Sequence, residues 1–189
     1  MSRKNHDKND EDWTKNYDLD EEEYESMKCS FGYLLHTYNA PDTQKLVMFI
    51  DADSDANRAE GRNGKSFIMQ QIKRFKSYTY VDGKRFASSM SDGGRFQFSG
   101  VTAETKFVWI DDVQPAFPFT MIFNMITGEM EIEKKNKDKV TILPERKPKF
   151  GLTTNYALPQ FGTSFTARQH IVEFGNYWNY ATQMNEKPS

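Results

Sequence analysis

The chain has one cysteine in 189 residues, Cys29. A single cysteine excludes an internal disulfide and a cysteine-rich zinc site. Histidine is also scarce: His6, His36 and His170 lie far apart and offer no metal-ligand spacing. His36 and His170 read as structural. Positive charge is not in excess, since Lys plus Arg number 25 against 27 Asp plus Glu, for a formal net charge of −2. Any contact with nucleic acid must therefore be local, on one loop or face. No apolar run approaches the roughly 18 residues that suggest a membrane span. No signal peptide is recognised. The expectation is no membrane association and a cytoplasmic location. Repeats and low-complexity tracts are missing too. Aromatic residues are plentiful, with 15 Phe, and β-rich strands account for most of them without base stacking. The length suits one domain with a real core.

The most informative stretch is Gly61-Arg62-Asn63-Gly64-Lys65-Ser66, between an apolar run at 46–50 and an amphipathic stretch at 67–75. The order reads as strand, glycine loop, helix. A phosphate chain needs inward-turned backbone N–H groups, which glycine permits. It needs a lysine to reach the β- and γ-phosphates, here Lys65. It also needs a hydroxyl on Mg²⁺, here Ser66, at the start of a helix whose positive dipole end faces the anion. Arg62 and Asn63 either contact phosphate or only shape the loop. The strict pattern G-x-x-x-x-G-K-[ST] would put glycine at position 59, where this chain has Ala59; its extra glycine is Gly61. Taken alone, the hexapeptide serves equally well as a surface turn.

A second element is Lys106-Phe107-Val108-Trp109-Ile110-Asp111-Asp112. Four consecutive apolar residues bounded by polar ones suit a strand buried on both faces, as in a parallel sheet. Two acids at its C-terminal end lie where ligands bind in open α/β sheets. Asp111 is assigned to the Mg²⁺ shell and Asp112 to orienting the attacking water. The alternative is a strand ending in a solvated Asp-Asp turn. A third strand, 149–153, leads to Asn155, which can hydrogen-bond both a γ-phosphate and the lytic water, or simply start a turn before Pro159. Fourth, Arg168 precedes an alternating strand at 171–174. It is placed to stabilise transition-state charge in a neighbouring subunit, or to pair with a surface carboxylate such as Glu173.

In this order the residues resemble the superfamily three helicases, hexameric AAA+-related ATPases of viruses, phages and plasmids. The glycine loop comes first, followed by Ile110-Asp111-Asp112, then Ile126-Thr127-Gly128 with a basic stretch. Pro148-Lys149-Phe150, Thr154-Asn155, Arg168 and Glu173-Phe174 complete the set. More narrowly, the chain is similar to the ATPase domain of primase-helicases from phages and bacterial mobile elements. Phe31-Gly32-Tyr33-Leu34-Leu35-His36-Thr37-Tyr38 and Glu133-Lys134-Lys135-Asn136-Lys137-Asp138 also look like that branch. The resemblance covers about residues 28–180.

The resemblance implies a P-loop, AAA+-like α/β fold: a central, mostly parallel sheet flanked by helices, with an inserted β-hairpin. It implies ATP and Mg²⁺, a homo-oligomer of hexamer type, single-stranded DNA as partner, and a primase domain or protein as an associate, in a bacterial or host cytoplasm. It also implies that the hairpin grips DNA, and the matching positions are Lys134, Lys135 and Lys137. Closely spaced cations on a turn suit a phosphate backbone; a solvated hairpin tip diluted by Glu131, Glu133 and Asp138 is the alternative. This sequence departs from the family at Ala59, at Asp112, where a longer Glu is more usual, and at Ala167-Arg168, where two adjacent basic residues are common. The departures bear on the rate of turnover more than on nucleotide binding.

Residues 1–26 form an acidic lead-in, with six acids in the eight residues 18–25, expected to be flexible or helical. Residues 27–180 form the ATPase domain and 181–189 a flexible tail. Expected elements are a helix at 22–38 packing Phe31, Leu34 and Leu35, strands at 46–50 and 78–81, and a helix at 65–75. Farther on come a polar loop at 88–94, a short strand at 96–98, a strand at 106–110 and a helix at 118–126. A hairpin at 130–142 and strands at 149–153 and 170–174 complete the list. Strands alternating with helices argue for a layered α/β sheet. Members of the resembled family carry further domains, so the chain is either an excised domain or a minimal ATPase. Two functions follow: an ATP-driven motor on single-stranded DNA, or a nucleotide-binding scaffold or regulatory subunit that hydrolyses little. An endonuclease-like use of the two carboxylates needs more acids around Asp111 than the local sequence holds.

Overall fold

Five segments of the chain become the five strands of one sheet. The computed structural model describes residues 21–40, 43–51, 64–88, 96–134, 137–158 and 162–175. In chain order these contain α1 (Glu21–Leu35), β1 (Leu46–Asp51), α2 (Lys65–Ile72), β2 (Tyr78–Asp82), α3 (Lys84–Ser88) and β3 (Phe107–Asp111). Next come α4 (Phe119–Thr127), β4 (Met130–Lys134), β5 (Lys137–Ile142) and a 3-10 turn, Pro144–Arg146. The last elements are β6 (Lys149–Thr153), α5 (Thr163–Thr166) and β7 (Gln169–Phe174). The sheet order is β2-β3-β6-β1-β7, and all four pairings are parallel. Strands β4 and β5 form a separate antiparallel hairpin inserted between α4 and β6.

Parallel strands covered by helices on both faces lose the polar alternation of half-exposed ones. β1 shows this, with all six residues buried. Leu46, Met48 and Ile50 join the cluster that takes in Ile122, Phe123 and Ile126 of α4, while Val47 and Phe49 join Leu34 of α1 and Met69 and Ile72 of α2. Residues 119, 122, 123 and 126 recur at helical spacing and are all buried, so α4 turns one apolar stripe to the sheet. Fully burying such a side chain contributes roughly 1.5–3 kcal/mol. The two clusters therefore hold the sheet from both sides. Gly151 in β6 lies at a close approach to the second cluster: a Cβ there would meet Met69 Cε at 2.6 Å and the Phe107 ring at 3.0 Å.

The α/β class, the parallel central sheet, the flanking helices and the inserted hairpin agree with the sequence reading. Details differ. Residues 96–98 are not a strand but part of a hydrogen-bonded turn, with Ser99 N donating to Phe96 O and Val101 N to Phe98 O. Phe98 packs instead against Phe86 of α3, a helix that the sequence reading left out. Leu35 is 39% exposed and does not join the core; Leu34 does. Helix α2 stops at Ile72 in a turn. The loop after β6 contains α5, whose Phe165 packs on Phe123 at 3.8 Å between ring centroids. The lead-in before residue 21 and the segment after residue 175 lie outside the described residues, as does most of the polar loop. Among the described residues, no helix is long and apolar enough to cross a membrane.

Candidate functional site

In a parallel sheet every strand ends at the same edge, so residues that close different strands meet there. β1 ends in Asp51, β2 in Asp82 and β3 in Asp111. Between β1 and β3 lies β6, which ends in Thr153. Lys65 and Ser66 open α2, and Gly64 precedes them at φ 91°, a left-handed backbone that glycine adopts without a Cβ penalty. Gly61, Arg62, Asn63 and Ala59 lie outside the described residues.

The centre is the Asp111 carboxylate. Thr153 Oγ1 donates to Asp111 Oδ1 at 2.6 Å, Ser66 Oγ approaches the same oxygen at 3.4 Å, and Tyr80 OH reaches Oδ2 at 3.3 Å. Burial, then the charge of Asp111, pushes the Tyr80 phenol above its ordinary value, so Tyr80 stays a protonated donor. Thr153 Oγ1 also accepts from the Asp112 amide at 3.0 Å. One threonine thus fixes both acids. Asp112 has φ 54°, the left-handed region; Asp tolerates it better than most residues because its short polar side chain bonds locally. Asp112 Oδ1 lies 3.5 Å from Asn155 Nδ2, and Oδ2 pairs with Lys84 Nζ at 2.5 Å. The pairing raises the pKa of Lys84.

Lys65 does not point into open space. Its ammonium forms a buried ion pair with Asp51 and is 5% exposed. Burial lowers its pKa, opposed first by the hydrogen bond to Asp51 and then by the charges of Asp51, Asp112 and Asp111. The helix start, the lysine, the Ser66 hydroxyl and the Asp111 carboxylate fit a phosphate chain and a hydrated divalent cation. Mg²⁺ is held by one or two carboxylates, substrate phosphates and several waters. Among the described residues, no group of three or more His, Cys, Asp or Glu is placed to hold a metal ion. A cation here would therefore lean on Ser66, Asp111, ligand phosphate and water.

The structure brings together Lys65, Ser66, Asp111, Asp112 and Asn155. It does not bring Arg168 to them. Arg168 immediately precedes β7, and its carbonyl accepts from Leu46 N at 2.8 Å. That is the opposite edge of the sheet, a strand length of roughly 17–20 Å away. Lys134 is half-buried in β4 and Lys137 begins β5; Lys135 and the side chain of Lys137 lie outside what is described. Nearby, Lys139 pairs with Glu131 at 3.2 Å and Glu133 at 3.5 Å. Sequence reasoning passed over Asp51, Lys84, Thr153 and Tyr80. A signal existed for Asp51: 46–51, 78–82 and 107–111 are all apolar-rich runs closed by Asp.

Comparison with models of known protein families gives no match. Comparison with curated proteins finds none similar in sequence.

Proposed function

We propose that this chain is an ATP-binding and ATP-hydrolysing motor domain of a replicative DNA helicase, of the superfamily three, primase-helicase type. The observation that carries the reading is the approach of Ser66 Oγ to Asp111 Oδ1 at 3.4 Å, across 45 residues, beside Lys65 at the start of α2. These are the hydroxyl, carboxylate and ammonium of a P-loop nucleotide site.

Ser66 and Asp111 would hold Mg²⁺, whose charge would offset that of the β- and γ-phosphates. Lys65 exchanges Asp51 for phosphate oxygens. Asp112 and Asn155 orient the attacking water. Arg168, too far from its own site, serves that of a neighbour in the ring. Lys134, Lys135 and Lys137 of the hairpin hold single-stranded DNA. The test is phosphate release from ATP, with and without single-stranded DNA, over a range of protein concentration. Turnover that rises with both supports the motor. Lys65→Ala abolishes ATP binding under this scheme; wild-type binding and turnover in that variant defeat it.

One observation favours a second reading, a nucleotide-binding module that hydrolyses little. Both key groups are already engaged, Lys65 by Asp51 and Asp112 by Lys84. Stoichiometric ATP binding without phosphate release, with or without DNA, would favour this reading over the motor.

A further inference from the structure

A pocket of about 260 Å³ opens on the sheet edge opposite the acids, where β3 and β6 begin. His36 and Asn39 line it from the segment after α1, Lys106 from the residue before β3, and Arg146, Lys147 and Lys149 from the turn and start of β6. In a chain with no overall basic bias, four cations converge here. The acid in the lining is Glu145, which is exposed.

Two of the cations are buried, Lys147 at 5% exposure and Lys149 at 2%. Neither meets a carboxylate among the described residues. Lys147 Nζ donates to the carbonyls of Ile126, at 3.0 Å, and Gly128. Lys149 Nζ donates to Tyr38 O at 2.7 Å and sits 4.1 Å from the centre of the Tyr33 ring. Buried charges are ordinarily paired. Carbonyl dipoles and a ring face hold these ammonium groups in place without neutralising them. The cavity is smaller than a drug-sized site, and its size suits a sugar-phosphate unit.

We propose that this pocket binds a phosphate-ester anion, supplied by the backbone of single-stranded nucleic acid. Lys106 and Arg146 contact the phosphate at the rim, and Lys147 and Lys149 set the potential beneath it. The position supports the backbone source over a free phosphate. Lys147 ties the pocket to Gly128, two residues before β4, so the pocket lies at the root of the hairpin. A strand held along the hairpin would continue into it. The pocket does not depend on the glycine loop being a nucleotide site, because it shares no residue with that loop and lies at the other edge.

The experiment uses the whole chain, a labelled oligothymidylate read by fluorescence anisotropy from low to moderate salt, and inorganic pyrophosphate as the small-anion probe. The variant is Lys106→Gln/Arg146→Gln, which changes two rim residues outside the core. The expected result is oligonucleotide affinity lower by about tenfold and a salt slope smaller by about 1.4, two contacts at roughly 0.7 each for single strands. ATP binding is expected to stay unchanged. Pyrophosphate binding that the variant abolishes, without oligonucleotide binding, would keep the anion site and assign it to a free phosphate ligand. Equal affinity and slope in wild type and variant, with no pyrophosphate binding to either, would overturn the proposal, whatever the outcome of the ATPase assay.

Discussion

Single residues decide how the two edges of the sheet behave. Asp51 is the partner that keeps Lys65 ionised in a buried place. Asp51→Asn removes the nearest compensating charge from that ammonium, and the expected loss is about 3 kcal/mol of stability, read as a lower urea midpoint; under the proposed function, saturating ATP should restore part of it. At the other edge, burial and then Lys76 lower the pKa of Lys149 to about 8. Its surroundings are Tyr33, His36, Tyr38, Lys76, Lys106, Glu145, Arg146 and Lys147. The unfolded chain, with an ordinary lysine, binds the proton more readily between about 8 and 10.5. Stability gained from this group therefore rises with pH through that window. Comparing urea midpoints at several pH values in wild type and Lys149→Met isolates the effect; equal pH dependence in both would show that Lys149 plays no part. The role of neither residue was legible in the sequence, although both stand in segments that the pattern marks as strands. The partners of Asp51 and Lys149 are set by which strands lie side by side, and no local pattern records that.

Elements were legible where burial imposed a pattern. The apolar runs at 46–50 and 107–110 became β1 and β3, because a strand covered on both faces loses its polar alternation, and the β-rich stretch 149–153 became β6. The hairpin at 130–142 was expected from the turn at Gly128 and from the family resemblance. Helices α3 and α5 were not. They have 5 and 4 residues, too few for a 3.6-residue period, and ring contacts made by Phe86 and Phe165 accompany them. The left-handed backbone at Asp112 was equally hidden, and it gives a local reason for Asp rather than a longer acid. Turn geometry also links elements to the site. Gly83, between β2 and α3, donates its N–H to Asp111 O at 2.7 Å, and a Cβ there would meet that oxygen at 2.6 Å and Val113 Cα at 2.8 Å. Backbone must yield, so Gly83→Ala is expected to cost about 1–3 kcal/mol and to displace Asp111 and Asp112. A lower melting temperature and, under the proposed function, reduced ATP turnover check this; wild-type values would show that the turn relaxes freely.

For the whole molecule, opposite sheet edges carry different chemistry: the strand-end acids with Gly64, Lys65 and Ser66 at one, and Lys106, Arg146, Lys147, Lys149 and Arg168 at the other. Under the proposed function, a ring must bring the Arg168 edge of one copy to the acid edge of the next. Arg168→Ala is then expected to keep ATP binding and lose turnover. Mixing it with Lys65→Ala should restore some turnover, because each variant supplies what the other lacks. No recovery at any mixing ratio would argue against a residue acting in trans. The resemblance supplied this assembly, the DNA partner and the hairpin's role; composition alone offered only a globular chain without basic bias.

The register of the central strands has a consequence for how the chain is made. Leu46 of β1 pairs with Phe150 of β6 and with Gln169 of β7, so its neighbours lie more than a hundred residues downstream. Loop closure of that length precedes any reward from pairing, and folds built on such separations form slowly. During synthesis, β1, α2 and β3 emerge without the strand that belongs between them. Thr153, which fixes both acids, arrives only with that strand. The nascent chain therefore holds a glycine loop and an acid pair well before it holds a site. Its exposed β1 and β3 edges are, in that interval, the part most in need of a chaperone.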